Sequence, residues 1–170
     1  MKGYIHLYTG NGKGKTTAAL GLALRAAGAG KMVFIAQFVK GMHYAELNSL
    51  KCFPEIALKQ FGLECFIENE PKKEDILAAR KGLDEVTAMI LGNQYDVIIL
   101  DEVCIALYYH LFETEELISV LLKKPESMEV ILTGRYAPPE LFEIADLVTE
   151  MKEIKHYYTK GVLARKGIEF

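Results

Sequence analysis

The run Thr9-Gly10-Asn11-Gly12-Lys13-Gly14-Lys15-Thr16 stands between an apolar stretch at residues 4–8 and a second one at residues 16–29. Few sequence features restrict a fold more. The first stretch has the length and character of a strand and the second of a helix, so a glycine-rich loop carries the chain from the end of one into the start of the other. The helix then presents its unpaired N–H groups and the positive end of its dipole to whatever the loop surrounds. Glycines at 10, 12 and 14 let the backbone turn tightly and aim further N–H groups inward. Lys15 adds a full positive charge, and the Thr16 hydroxyl is placed to ligate Mg²⁺. Together these groups suit a polyphosphate, and ATP is the expected ligand. The pattern G-x-x-x-x-G-K-[ST] lacks only its first glycine, where Thr9 stands. The plain alternative is a tight strand-to-helix turn with no ligand.

Beyond the loop, strand-like and helix-like segments alternate. Residues 33–38, 97–100, 130–133 and 147–151 are short apolar runs, mostly rich in Val and Ile, and residues 56–61 form a weaker candidate. Continuous apolar runs suit strands buried on both faces of a parallel sheet. Between them, residues 74–92 carry apolar side chains at helical spacing. Residues 115–123 have acids in the first turn and lysines in the last, as the helix dipole favours. Pro138 and Pro139 open a further short helix through residue 145. Residues 16–29 are apolar nearly all round and predict a largely buried helix, closing at Gly28 and Gly30. The expected fold is α/β, a mostly parallel sheet with helices on both faces of the recombinase-like P-loop NTPase kind, in one domain over 1–170. Residues 39–73 are the least regular part, either a binding loop or an awkward connection.

Composition narrows the function classes. The chain has 170 residues, 51% hydrophobic and 25% charged, enough for a proper core and too apolar for disorder. Its net charge of −3 argues against nucleic acid as a partner. Cys52, Cys65 and Cys104 are far apart and form no C-x-x-C pair, so neither a zinc site nor a disulfide framework is expected. With no room for a signal peptide before the first strand and no apolar run of about 18 residues, the expected location is the cytoplasm.

Asp101 and Glu102 end the strand at residues 97–100. Ligands of open α/β sheets sit at the carboxyl ends of the strands, which brings this pair beside the loop. One carboxylate there holds Mg²⁺ (or Mn²⁺) or its waters, and the other accepts from a water or a ribose hydroxyl. The alternative is a pair that merely caps the next helix. Nothing in the loop says which bond of ATP breaks.

Further motifs bear on that question. They are Gln37-Phe38-Val39-Lys40-Gly41, Tyr95 through Glu102, Leu132-Thr133-Gly134-Arg135, Ala145 through Met151, Lys155-His156, and Gly161 through Phe170. With the loop through Thr17 they follow one another almost from end to end of the chain. In this the chain resembles the P-loop type of ATP:corrinoid adenosyltransferase. The resemblance implies that a corrinoid reduced to cobalt(I), cob(I)yrinic acid a,c-diamide or cob(I)alamin, attacks the 5′ carbon of ATP and expels triphosphate. Members of that family bind ATP in a reversed sense along the loop, which relaxes the need for glycine at Thr9. It also implies that Gly10, Asn11, Gly12, Lys13, Gly14, Lys15, Thr16 and Thr17 bind the phosphates. Lys13, Lys15, Thr16 and Glu102 would carry the catalysis, and Thr16, Asp101 and Glu102 would position the metal. Arg135 either contacts ATP or makes a structural ion pair. Lys155 and His156 either touch substrate or tie down the tail.

The partners implied are ATP, the corrinoid, a flavoprotein reductant and a second copy in a homodimer. The basic cluster Lys152, Lys155, Lys160, Arg165 and Lys166 is either the reductant's docking surface or a solvated face. Two departures from the family bear on the corrinoid. The family often packs an aromatic pair including Trp on the corrin, whereas this chain has no Trp and carries Phe66-Ile67 in that stretch. Positions 103–105 read Val-Cys-Ile where polar or aromatic residues are common. His43, Tyr44 and Phe66 are the candidates for the corrinoid side, against the ordinary reading of aromatics as core. The competing functions are another P-loop ATPase, a small-molecule kinase, or a nucleotide-dependent regulatory or DNA-binding module. A GTPase is disfavoured because the chain has no N-K-x-D segment, and a helicase because 170 residues leave no room for a second motor domain.

Overall fold

In the computed structural model, residues 2–63, 67 and 70–170 are described. Six strands form one sheet: β1 (Ile5–Thr9), β2 (Val33–Phe38), β3 (Ile56–Phe61), β4 (Val97–Asp101), β5 (Glu129–Thr133) and β6 (Leu147–Glu150). Their order across the sheet is β3-β2-β4-β5-β1-β6 and every pairing is parallel. Parallel neighbours need crossovers, and six helices supply them: α1 (Lys15–Gly28), α2 (Glu46–Leu50), α3 (Lys73–Gly92), α4 (Val103–Tyr108), α5 (Thr114–Leu121) and α6 (Pro139–Ile144).

All residues of β2 and of β4 are buried, which is why those two segments are apolar without alternation. On one face α1 lays Ala19, Ala23, Ala26 and Ala27 against Val33, Ile35, Val97, Ile99 and Ile131. Alanines let the helix come close to the sheet, and each large aliphatic side chain buried beneath it contributes about 1.5–3 kcal/mol. The other face holds the larger core, where Phe34, Phe38, Ile98 and Leu100 meet Val86 and Ile90 of α3 and Leu117 and Leu121 of α5.

Several expectations needed adjustment. The helix at the loop is buried on one side only. Ala18, Gly21, Leu24 and Gly28 face solvent, and of these only Leu24 exposes a large apolar side chain. The weak candidate at residues 56–61 is a full strand, paired with β2 along all six residues. Its pattern is mixed because β3 is an edge strand, half covered. β6, at the opposite edge, is exposed along its whole length and stops at Glu150. The helix α4 was not anticipated: it is short, and it starts only because Glu102 turns the chain through the left-handed region at φ 58°. At α5 the acids act as expected, with the Glu113 N–H donating to the Glu116 carboxylate at 2.9 Å, but the helix ends at Leu121 and no lysine lies in its last turn.

Candidate active site

β1, β2, β4 and β5 all run the same way, so their carboxyl ends converge at the N-terminus of α1. Gly14 caps that helix at φ 116°, and Lys15 is its first residue. The Lys15 side chain folds back over the loop, where its ammonium donates to the carbonyls of Gly10 and Gly12, each at 2.8 Å. Burial pushes its pKa down, Glu102 and Asp101 pull it up, and the Arg135 charge adds to the downward push. Asn11, Lys13 and Thr17 are exposed around this centre.

One loop amide is not free. The Gly12 N–H donates to the Met151 carbonyl at 2.6 Å, and the Met151 N–H donates to the Thr9 carbonyl at 2.8 Å. The chain leaving β6 thus crosses directly under the loop. A Cβ on Gly10 or on Gly12 would lie 2.6 Å from the Met151 oxygen, so both glycines are required by this crossing. To the tight turn expected of these glycines the structure adds this close approach of the Met151 backbone.

Asp101 is the fully buried hub of the site. Its Oδ1 accepts from the hydroxyls of Thr16 at 2.8 Å and Thr133 at 2.7 Å. Its Oδ2 accepts from the Lys40 ammonium at 2.8 Å and the Gln37 amide at 3.2 Å. Gln60 extends the chain of donors, bonding the Gln37 side-chain oxygen and the Met42 carbonyl, both at 3.1 Å. The Thr133 hydroxyl in turn accepts the Glu102 N–H at 2.9 Å, which fastens the left-handed turn after β4. A carboxylate so supplied is fixed in direction, and its desolvation is offset by four donors.

The Glu102 carboxylate differs. Among the described residues it makes no side-chain hydrogen bond. Burial and the charge of Asp101 raise its pKa, against the pull of Lys40, Lys15 and Arg135. Among the described residues no three His, Cys, Asp or Glu side chains gather into a metal cage. The donors present are the Thr16 hydroxyl and two carboxylates, hard oxygens of the kind that hold Mg²⁺ jointly with phosphates and water. The residue set therefore fits the ion.

The remaining candidates fall around this hub. Lys13 leans away from it toward the C-terminal tail, where its ammonium donates to Glu169 at 2.6 Å, the Ile168 carbonyl at 2.9 Å and the Tyr157 hydroxyl at 3.2 Å. Arg165 also bonds Glu169, so this member of the basic cluster is engaged within the tail. Arg135 is exposed, and the structural ion pair weighed for it is not found among the described residues. His156 caps the 3-10 turn Tyr157–Lys160, its Nδ1 accepting the Tyr158 N–H at 3.1 Å, while Lys155 is exposed. His43 is exposed and Tyr44 buried, with the Lys40 ammonium 5.2 Å from its ring centre. Phe66 and Cys65 lie outside the described residues. Val103 and Cys104 are apolar for a structural reason, since both are buried under the start of α4. Burial pushes the Cys104 thiol up to about 12. The sequence alone assigns no role to Lys40, Gln37, Thr133 or Met151. The available signal was two polar residues, Gln37 and Lys40, at the end of an otherwise apolar strand.

The whole chain, residues 1–170, matches the family model for ATP:corrinoid adenosyltransferase BtuR/CobO/CobP. It is 36% identical over 171 residues to a corrinoid adenosyltransferase of Escherichia coli strain K12, covering 99% of this chain and 86% of that protein. A corrinoid adenosyltransferase of Salmonella typhimurium is 34% identical over 176 residues, again covering 99% and 86%. One of Pseudomonas aeruginosa is 33% identical over 171 residues, covering 99% and 84%.

Proposed function

The chain belongs to the ATP:corrinoid adenosyltransferase family, and from that premise we propose how its site performs the transfer. Cobalt(I) of a reduced corrinoid attacks the 5′ carbon of ATP. A cobalt–carbon bond forms with the cobalt electron pair, the bond from the 5′ carbon to oxygen breaks, and triphosphate leaves with those electrons. The observation that carries the reading is the convergence of Lys15, Thr16 and Asp101 at the carboxyl ends of β1 and β4.

The protein's task is to stabilise a leaving triphosphate and to hold the 5′ carbon in line with cobalt. Lys15 is poised for the first, because phosphate oxygens can replace the two carbonyls its ammonium now holds. Gly10, Asn11, Gly12, Gly14 and Thr17 frame the phosphates, and Lys13 reaches them by turning from the tail. Arg135 adds a solvent-facing cation. Thr16, Asp101 and Glu102 would hold Mg²⁺ or Mn²⁺, which when bound neutralises part of the triphosphate charge. His43, Tyr44 and Phe66 stand for the corrinoid side. The reading extends to a homodimer in the cytoplasm and to a flavoprotein donor docking on Lys152, Lys155, Lys160 and Lys166. No described helix is long and apolar enough to cross a membrane.

The test is direct. Incubated anaerobically with ATP, Mg²⁺ and chemically reduced cobalamin or cobyrinic acid a,c-diamide, the protein yields the adenosylated corrinoid and triphosphate. ADP and phosphate with the corrinoid unchanged would overturn the reading in favour of an ATPase.

A further inference from the structure

The chain leaves β2 under strain. Val39 has φ 56°, a left-handed conformation that a β-branched residue rarely takes and that costs of order 1–3 kcal/mol. The surrounding backbone holds it there, with the Val39 N–H donating to the Phe61 carbonyl at 3.1 Å. Across from it, a Cβ on Gly62 would lie 2.4 Å from the Lys40 nitrogen and 2.6 Å from the Val39 carbonyl carbon. Only glycine at 62 lets the two segments pack backbone on backbone.

What this construction achieves is the placement of Lys40. Its side chain is 13% exposed, and its ammonium lies 2.8 Å from Asp101 Oδ2 and 3.5 Å from the Thr16 hydroxyl. A plain counter-ion for Asp101 accounts for the first distance. It does not account for the second, nor for the strained turn that aims the side chain, since Asp101 already accepts from Thr16, Thr133 and Gln37. The ammonium rests against the same two groups that are read above as oxygens for the divalent cation.

We infer that Lys40 is a resident cation of the Thr16–Asp101 pair, holding both groups in place until the divalent ion arrives with ATP, and then turning onto the triphosphate. Two cations cannot share that pair at short range, because like charges in a partly desolvated site repel strongly. The ammonium is tethered by a flexible stem, so it is the one that swings. Lys40 thus positions the metal's oxygens in one arrangement and neutralises the leaving group in the other. The inference rests on the reading of Thr16 and Asp101 as the cation's oxygens, and not on the corrinoid.

Titration with Mn²⁺, followed by electron paramagnetic resonance, tests it on the whole chain. Without nucleotide, Lys40→Gln binds Mn²⁺ about tenfold more tightly than the wild type, because the competing charge is gone while a hydrogen bond to Asp101 is kept. Lys40→Arg, which retains the charge, stays near the wild type. For triphosphate with Mn²⁺ the order reverses, and Lys40→Gln binds about tenfold more weakly. Equal or weaker Mn²⁺ binding by Lys40→Gln, with the wild type binding Mn²⁺ and ATP together, sinks the role given to Lys40 alone. A wild type that binds no Mn²⁺ even with ATP removes the metal reading beneath it. A crystal structure of the wild type with Mg²⁺ and ATP decides without any variant. Lys40 on a phosphate oxygen supports the exchange, and Lys40 still on Asp101 beside the bound metal refutes it.

Discussion

Two carboxylate–ammonium pairs flank the glycine-rich loop, Lys40 with Asp101 at 2.8 Å and Lys13 with Glu169 at 2.6 Å. Their distances are nearly equal and their surroundings opposite. Asp101 is wholly buried between strands and accepts from four side chains. Glu169 lies on the surface within the last residues of the chain and accepts from Lys13, the Tyr157 hydroxyl and Arg165. Water competes for the second pair and salt screens it, while the first is shielded from both. The buried pair therefore yields only to a cation that competes for Asp101 itself, and the exposed pair is a contact that a polyphosphate can displace from Lys13. The Lys13, Tyr157 and Arg165 donors hold the Glu169 carboxyl well below the usual carboxylate range. Glu169 therefore keeps its negative charge to lower pH than an ordinary carboxylate does.

The sharpest way to break the comparison is Asp101→Ala. It strands the Lys40 ammonium in the interior and leaves two threonine hydroxyls without their acceptor. The expected cost is about 3–5 kcal/mol, a fall in Tm of roughly 10 °C by thermal denaturation for a chain of this size. A fall of only a degree or two would mean that the buried pair is no more structural than the exposed one. Next in size is Lys15→Ala, whose fold should survive because the side chain bonds only loop carbonyls. Turnover should drop by about 10²–10³-fold, and near-normal adenosylation by that variant would refute the role of Lys15.

Glu102→Gln sharpens the contrast from the other side. Its carboxyl is raised by burial and by Asp101, so ionising it costs the fold stability. The sign follows from linkage: the wild type loses stability as pH climbs from the ordinary carboxylate value through the raised one, and Gln does not. The variant should match the wild type in Tm near pH 4 and exceed it by about 2–4 °C at neutral pH, while losing metal-dependent turnover. Equal melting at both pH values would show that the carboxylate is not under strain. The smallest effect belongs to Glu169→Gln. Releasing Lys13 should tighten ATP binding by about two- to threefold at low salt, and the gain should vanish at high salt. A loss of affinity in calorimetry would instead make Glu169 part of the ATP site.

Much of the site is legible in the sequence. Lys15 and Thr16 are adjacent in sequence and tied to a strand–loop–helix pattern whose ligand chemistry is local. Asp101 and Glu102 could be placed because an apolar run ending in two acids puts them at a strand's carboxyl end. The weak segment at residues 56–61 and the short α4 were harder. An edge strand shows only half a pattern, and α4 begins at a left-handed Glu102 that no propensity marks. The tail partners of Lys13 are not legible in the sequence, because they lie 144 to 156 residues away.

By itself the sequence determined the α/β class, the loop and the chemical kinds of group gathered at it, because each depends on neighbours within a few residues. Only the tertiary structure decided which of those groups touch. Thr133 meets Asp101 because β5 lies beside β4. Met151 takes the Gly12 amide because β6 lies beside β1. Lys40 reaches Asp101 because β2 pairs with β4 and Val39 turns the chain inward. Strand order in a parallel sheet is set by how the helices cover its two faces, and that is a property of the whole packed chain rather than of any stretch of it.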